Sequence, residues 1–234
     1  MDKEALRERV WDELEASEDA RFPFPPHGRI PNFAGADDAA ERLADTGVWA
    51  DADVIKANPD APQLPVRRAA LRQGKTVYMA VPRLRDEKCF LRLAPDEVED
   101  IDHATTVGGS AEAGVQVAPD EMPEIDLVVS GSVAVTADGA RVGKGEGYSD
   151  LEFAVLRESG LVDGATPVVT TVHGRQLVEA DGSADDHDVP LDVVVTPGRT
   201  LRTGGGEKPA GIDWNSLSAE RRAEIPVLSR FAPE

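Results

Sequence analysis

Four short runs, "KTVYMAV" (75–81), "IDLVVSGSVAV" (125–135), "TPVVTTV" (166–172) and "LDVVVTP" (191–197), are apolar at consecutive rather than alternate positions. Strands with that pattern are buried on both faces, as in a sheet covered by helices on either side. "DVIKAN" (53–58) predicts a further strand ended by Asn-Pro, and "PVRRAALRQ" (65–73) a helix closed by Gly74 just ahead of "KTVYMAV". Strand, helix with a glycine stop, and strand is the order of a parallel crossover. Helices are also predicted over 2–17, where Leu6, Val10, Trp11 and Leu14 recur at helical spacing, over 36–45, from 150, and near 217–223. "RFPFPPHGRIPNF" (21–33) carries Pro at 23, 25, 26 and 31, a density no helix survives, and its Phe residues predict packing on the body. Parts of residues 86–121 predict loop or a surface insertion, the segment having few strong apolar runs, and "RTGGGEKPAGIDW" (202–214) predicts a flexible loop. The expected fold is α/β and three-layered, with a mainly parallel or mixed central sheet and helices on both faces, in one domain over 1–234.

Charge narrows the partners. The formal net charge is −19, and only six residues are Lys (3, 56, 75, 88, 144, 208) against nineteen Arg. A hydrated acidic surface poor in Lys fits adaptation to high salt; an ordinary acidic protein is the alternative. Either way nucleic acid is disfavoured, because phosphate neutralisation needs a basic face. No apolar run approaches the ~18 residues of a membrane span. The charged start "MDKEALRERVWDELEA" lacks a signal-peptide core, and Cys89 stands alone, so a reducing cytoplasm is expected. A monomer or homodimer is expected.

The candidate binding motif is "ARVGKGEGYSDLEF" (140–153). Glycines at 143, 145 and 147 let backbone N–H groups approach an anion, and the helix that follows adds partial positive charge. Arg141 and Lys144 add formal charge, and Asp150 could hold Mg²⁺. A glycine turn that merely joins strand to helix is the competing reading. Neither the Walker spacing nor the dinucleotide fingerprint is present.

"DLVVSGSVAVTADGARVGKGEGYSDLEFAVL" resembles the signature region of the 5-formyltetrahydrofolate cyclo-ligase family. "DDHDVPLDVVVTP" is similar to that family's C-terminal His-Asp-x-x-x-Asp block, and "KEALRERV" to its N-terminal Lys-x-x-x-Arg helix. "GRIPNFAGADDAAERL", "TPVVTTVH" and "PAGIDW" further resemble the methenyltetrahydrofolate synthase domain-containing subgroup, without the RNA-recognition signature of its animal members. The resemblance implies ATP- and Mg²⁺-dependent conversion of 5-formyltetrahydrofolate to 5,10-methenyltetrahydrofolate. It implies that Lys3 and Arg7 grip ATP phosphates and that Gly143, Gly145 and Gly147 cradle them with Arg141 and Lys144. Tyr148 would line the site, Asp150 would serve Mg²⁺, and Asp188 or Asp192 would support strand ends.

Two places depart from the family pattern. Ser149 replaces the second Tyr of Tyr-Tyr-Asp. The middle block, where the family has Glu-x-x-Thr to hold the pterin, reads "KANPDAPQLPVRRAAL", with Asp60 its nearest acid and Gln63 near the Thr place. The block from Pro59 to Pro65 therefore keeps two alternatives open: an ATP-using paralogue acting on another pteridine or heterocycle, and a nucleotide- or folate-binding protein without turnover. The four His residues and Cys89 lack metal-ligand spacing. His173, after a strand, is expected to hold structure. Ser130 and Ser132 lack a hydrolase elbow and read as small residues at a strand end.

Overall fold

The computed structural model describes residues 2–179, 185 and 187–233. A short ribbon of β1 (Ala20–Arg21) and β2 (Asn32–Phe33) precedes the main strands β3 (Val54–Ala57), β4 (Thr76–Ala80), β5 (Phe90–Leu93), β6 (Val115–Val117) and β7 (Leu127–Val129). A hairpin of β8 (Ala134–Val135) and β9 (Arg141–Val142) intervenes before β10 (Val168–Thr171), β11 (Val193–Val195) and β12 (Thr200–Arg202). The main sheet has eight strands in the order β12-β11-β10-β7-β3-β4-β5-β6. The five from β11 to β4 run parallel, and β12, β5 and β6 are antiparallel additions at the edges.

Helices cover both faces, as expected for three layers. Leu127 and Val129 point to one side, where they meet α2 (Ala36–Ala44), α3 (Gly47–Ala50) and α4 (Leu64–Arg72) through Leu43, Trp49 and Leu71. Val128 points to the other, against α7 (Tyr148–Glu158) through Phe153 and Leu156. The two-residue period of a strand thus feeds two cores from one apolar run. Helix α1 (Lys3–Ala16) packs Leu6, Val10, Trp11 and Leu14 onto the β8–β9 hairpin instead of the sheet.

Several expectations are corrected. Residues 86–121 are no loop insertion: they supply β5, β6, α5 (Ile101–Ala104) and α6 (Val107–Ala113), and Phe90 and Leu93 are fully buried. Their pattern hid them, since β5 and β6, the last two strands on one side of the sheet, carry half-buried or exposed positions at Leu91, Arg92, Val115 and Gln116. The run 125–135 is two strands, because the chain breaks at Ser130–Ser132 and turns into the hairpin. Residues 203–214 carry no helix or strand, as expected of a loop, but Lys208 and Ile212 within it are buried, and Thr200–Arg202 just before it pairs with β11. In the proline-rich stretch Phe33 is buried, but Phe22 and Phe24 stand out at 77% and 60% exposure.

The strand order reverses between β3 and β7. After β3 the chain adds β4 on one side, then returns to lay β7, β10 and β11 on the other. Crossovers leaving in opposite directions open a crevice beyond the C-terminal ends of β3 and β7. Its floor is tied by a buried ion pair between Lys56, on β3, and Glu152, on α7. Asn58 donates to the same carboxylate at 3.1 Å, and its side-chain amide oxygen Oδ1 accepts from Gly131 N–H at 3.0 Å. Helix α7 is thereby fixed to both strands that flank the crevice. Removing one charge leaves the other buried and uncompensated. Glu152→Gln should cost about 3–5 kcal/mol in chemical denaturation. The double change Lys56→Met with Glu152→Leu should lose much less.

Candidate functional site

The glycine loop lies at the mouth of this crevice, between β9 and the first turn of α7. Gly145 and Gly147 have φ of +101° and +67°, in the left-handed region that favours glycine. The backbone N–H groups of residues 143–147 donate to no partner among the described residues. Successive free donors ahead of a helix N-terminus are the kind of group that can meet an anion.

Cations surround it. Arg7 Nε donates to the Gly143 carbonyl at 2.7 Å, and Lys144 Nζ pairs with Glu146 at 2.8 Å. Arg83, at the end of β4 and half exposed, lies 3.8 Å from the Glu146 carboxylate. Arg221, on α8 (Ala219–Glu224), donates to the Glu146 carbonyl and covers the Tyr148 ring at 4.5 Å. Arg141 is buried beneath the loop in an ion pair with Asp150. Burial alone would raise the Asp150 carboxyl. The Arg141 guanidinium, helped by Val189 N–H at 3.1 Å, carries it below the usual carboxylate range. Both bonds fall on Oδ1, so Oδ2 has no hydrogen-bond partner among the described residues, and Asp150 lines the crevice. One free carboxylate oxygen beside this row of free N–H groups fits Mg²⁺, which takes few protein ligands and keeps water and phosphate oxygens.

Lys3 grips Asp185 and Asp188 at 2.7 and 2.6 Å, fastening α1 to the segment before β11, next to Val189, which bonds Asp150. Asp192 accepts from Val168 N–H at 2.7 Å and pairs with Lys208 at 2.8 Å, so it does support the strand ends. Residues 180–184 and 186, part of the acidic run, lie outside the described residues. His173 caps a turn by accepting from Arg175 N–H at 3.4 Å, which is structural.

Two chambers meet at the loop. The crevice holds about 320 Å³ between Asn58, Asp60, Arg83, Lys144 and Tyr148. It shares Ile30, Pro59, Asp60 and Lys144 with a chamber of about 610 Å³, whose walls include Phe22, Leu64 and Val107. The exposed Phe22 therefore has a surface to form. At the junction burial pushes the Asp60 carboxyl up, against the pull of Lys144. Asp60 and Gln63 keep an acid-x-x-polar spacing in the middle block. Gln63 is fully buried, and both ends of its amide lack a partner among the described residues. Buried Arg67 holds the block's backbone by donating to the carbonyls of Asn58 and Asp60 at 2.6 and 3.0 Å.

Arg7, Gly143, Lys144, Gly145, Gly147 and Tyr148 are thus brought to one loop, with Arg141 and Asp150 beneath it. Sequence reasoning missed Lys56, Asn58, Arg83, Glu152 and Arg221. Lys56 had a signal, a lysine inside an apolar strand of a chain with six; the others are joined only by tertiary contact.

Among the described residues, no helix is long and apolar enough to cross a membrane. The fold is shared with the 5,10-methenyltetrahydrofolate synthetase of Aquifex aeolicus, at TM-score 0.56 and 17% identity over 89% of this chain and 96% of that one. Methenyltetrahydrofolate synthase domain-containing proteins of Mus musculus and Homo sapiens are 42% and 39% identical over 97% of this chain. The chain spans 62% and 61% of their lengths. The model of the 5-formyltetrahydrofolate cyclo-ligase family matches residues 1–197. By that match, which takes in α1, the glycine loop and β11, the chain belongs to the 5-formyltetrahydrofolate cyclo-ligase family.

Proposed function

We propose that this chain uses ATP and Mg²⁺ to convert 5-formyltetrahydrofolate to 5,10-methenyltetrahydrofolate. The observation that carries the reading is the row of five free N–H groups at 143–147, ringed by cations and opening onto an apolar-walled chamber. The ATP polyphosphate would lie over the loop, and the folate would enter the larger chamber. Lys144, at the junction, stands where the γ-phosphate would meet the formyl oxygen. The γ-phosphoryl group passes to that oxygen as its bond to ADP breaks. N10 then adds to the activated carbon and loses its proton, and the C–O bond breaks to release phosphate. Little covalent work is asked of the protein; it positions the two reactants and neutralises the equatorial oxygens. Mg²⁺ would supply bridging charge between the phosphates, with Asp150 as its protein ligand. Arg141 keeps Asp150 ionised, and Tyr148 lines the crevice.

The middle block supports a second reading, an ATP-using paralogue acting on another heterocycle. Asp60 and the orphaned Gln63 present a different set of donors and acceptors from Glu-x-x-Thr. We also read the protein as cytoplasmic and adapted to high salt: of six lysines, Lys56, Lys75 and Lys208 are buried, so few are spent on the surface.

Incubation with ATP, Mg²⁺ and 5-formyltetrahydrofolate in high salt should raise the near-ultraviolet absorbance band of the methenyl product. ATP binding by calorimetry with no absorbance change would favour the paralogue. Lys144→Ala should weaken ATP about tenfold, or ~1.4 kcal/mol, and folate less; equal loss of both would contradict the role. Asp60 has a folded-state pKa above its unfolded value of about 3.9, so the folded state holds the proton more tightly and stability falls as pH rises through that window. Asp60→Asn should therefore melt higher than the wild type at neutral pH. The two should converge below about pH 3, where the carboxyl is protonated in both states. The same variant should weaken folate more than ATP.

A further inference from the structure

Two guanidinium groups from opposite ends of the chain hold the glycine loop by its carbonyls. Arg7 takes the Gly143 oxygen and Arg221 the Glu146 oxygen. A peptide unit is planar and trans, so its C=O and N–H point in opposite directions. Pinning the Glu146 carbonyl therefore fixes the direction of the Gly147 N–H, which is the last free donor of the loop. Arg221 lines an adjoining cavity of about 250 Å³ with Gly145, Gly147, Asp213 and Leu217, which shares Glu146, Gly147 and Asp150 with the crevice; Arg221 itself is not among the residues lining the crevice. Its guanidinium also covers the Tyr148 ring, which fixes the first residue of α7.

The support for Arg221 is itself rigid. Ile212, Leu217, Ile225, Val227 and Leu228 are buried in the same core as Leu151 and Phe153 of α7. Ile212 N–H donates to Glu158 at 3.0 Å, at the far end of that helix. This whole segment lies beyond residue 197, where the family match ends. It is shared with the relatives that align over 97% of this chain, and it reaches back to the loop.

We propose that Arg221 is a positioning residue for the glycine loop, and that the C-terminal segment exists in this chain to hold the loop's N–H groups ready for a polyphosphate. The proposal rests on the nucleotide reading of the loop. The test titrates Mg²⁺ with a non-hydrolysable ATP analogue, and separately 5-formyltetrahydrofolate, into wild type, Arg221→Gln and Arg221→Lys, with amide hydrogen exchange of residues 143–148 measured on the free proteins. Arg221→Gln should raise the nucleotide Kd about tenfold, speed exchange of those amides and leave the folate Kd unchanged. Arg221→Lys keeps the charge but loses the planar fork, so it should recover only part of the affinity; it also serves should Arg221→Gln fail to fold. Wild-type binding with both variants within twofold and exchange unchanged would overturn the proposal while leaving the nucleotide reading intact. Failure of the wild type itself to bind the analogue would overturn both.

Discussion

The site depends on the buried pair of Lys56 and Glu152. Desolvating two charges is costly, and a pair in this position is weak evidence for stability by itself. What it supplies is geometry. Lys56 sits one residue before the end of β3, Glu152 lies in the second turn of α7, and Asn58 links both to Gly131 beyond β7. The start of α7 is thereby set against the reversal point of the sheet, and the glycine loop has to close over the crevice there. Ser149 adds to the tie, donating to Asn58 at 3.2 Å. The residue that departs from the family's Tyr-Tyr-Asp is thus engaged beneath the loop.

Electrostatics runs against the chain's average. The protein carries a net charge of −19, yet Arg7, Arg83, Arg141, Lys144 and Arg221 converge around one loop. Glu146, Asp150 and Asp60 temper that charge without filling the loop's donors. A cationic crevice in an acidic surface directs an anion to one place, and high salt weakens the long-range attraction more than the contacts inside.

Much of this was legible in the sequence where physics is local. Strands β10 and β11 announced themselves because Val168–Thr171 and Val193–Val195 are β-branched and buried on both faces. The glycine loop announced itself by its alternate glycines together with Arg141 and Lys144, two cations in an acidic chain. Strand β5 and edge strand β6 did not, because short strands with half-buried and exposed positions in an acidic stretch look like loop. The break at Ser130–Ser132 was hidden between two valine-rich runs that read as one. The pair of Lys56 and Glu152, 96 residues apart, and Arg221, 75 residues from Glu146, are set by topology alone. The resemblance to a known family reached past residue 197 through "PAGIDW" (209–214), but it did not single out Arg221.

The most direct test is amide spectroscopy of isotopically labelled protein titrated with Mg²⁺ and a non-hydrolysable ATP analogue. Binding in the crevice predicts that the largest shifts fall on the amides of Gly143, Lys144, Gly145, Glu146 and Gly147, which gain acceptors they now lack. Saturable shifts elsewhere, with those five amides unmoved, would show that the loop is only a turn between strand and helix.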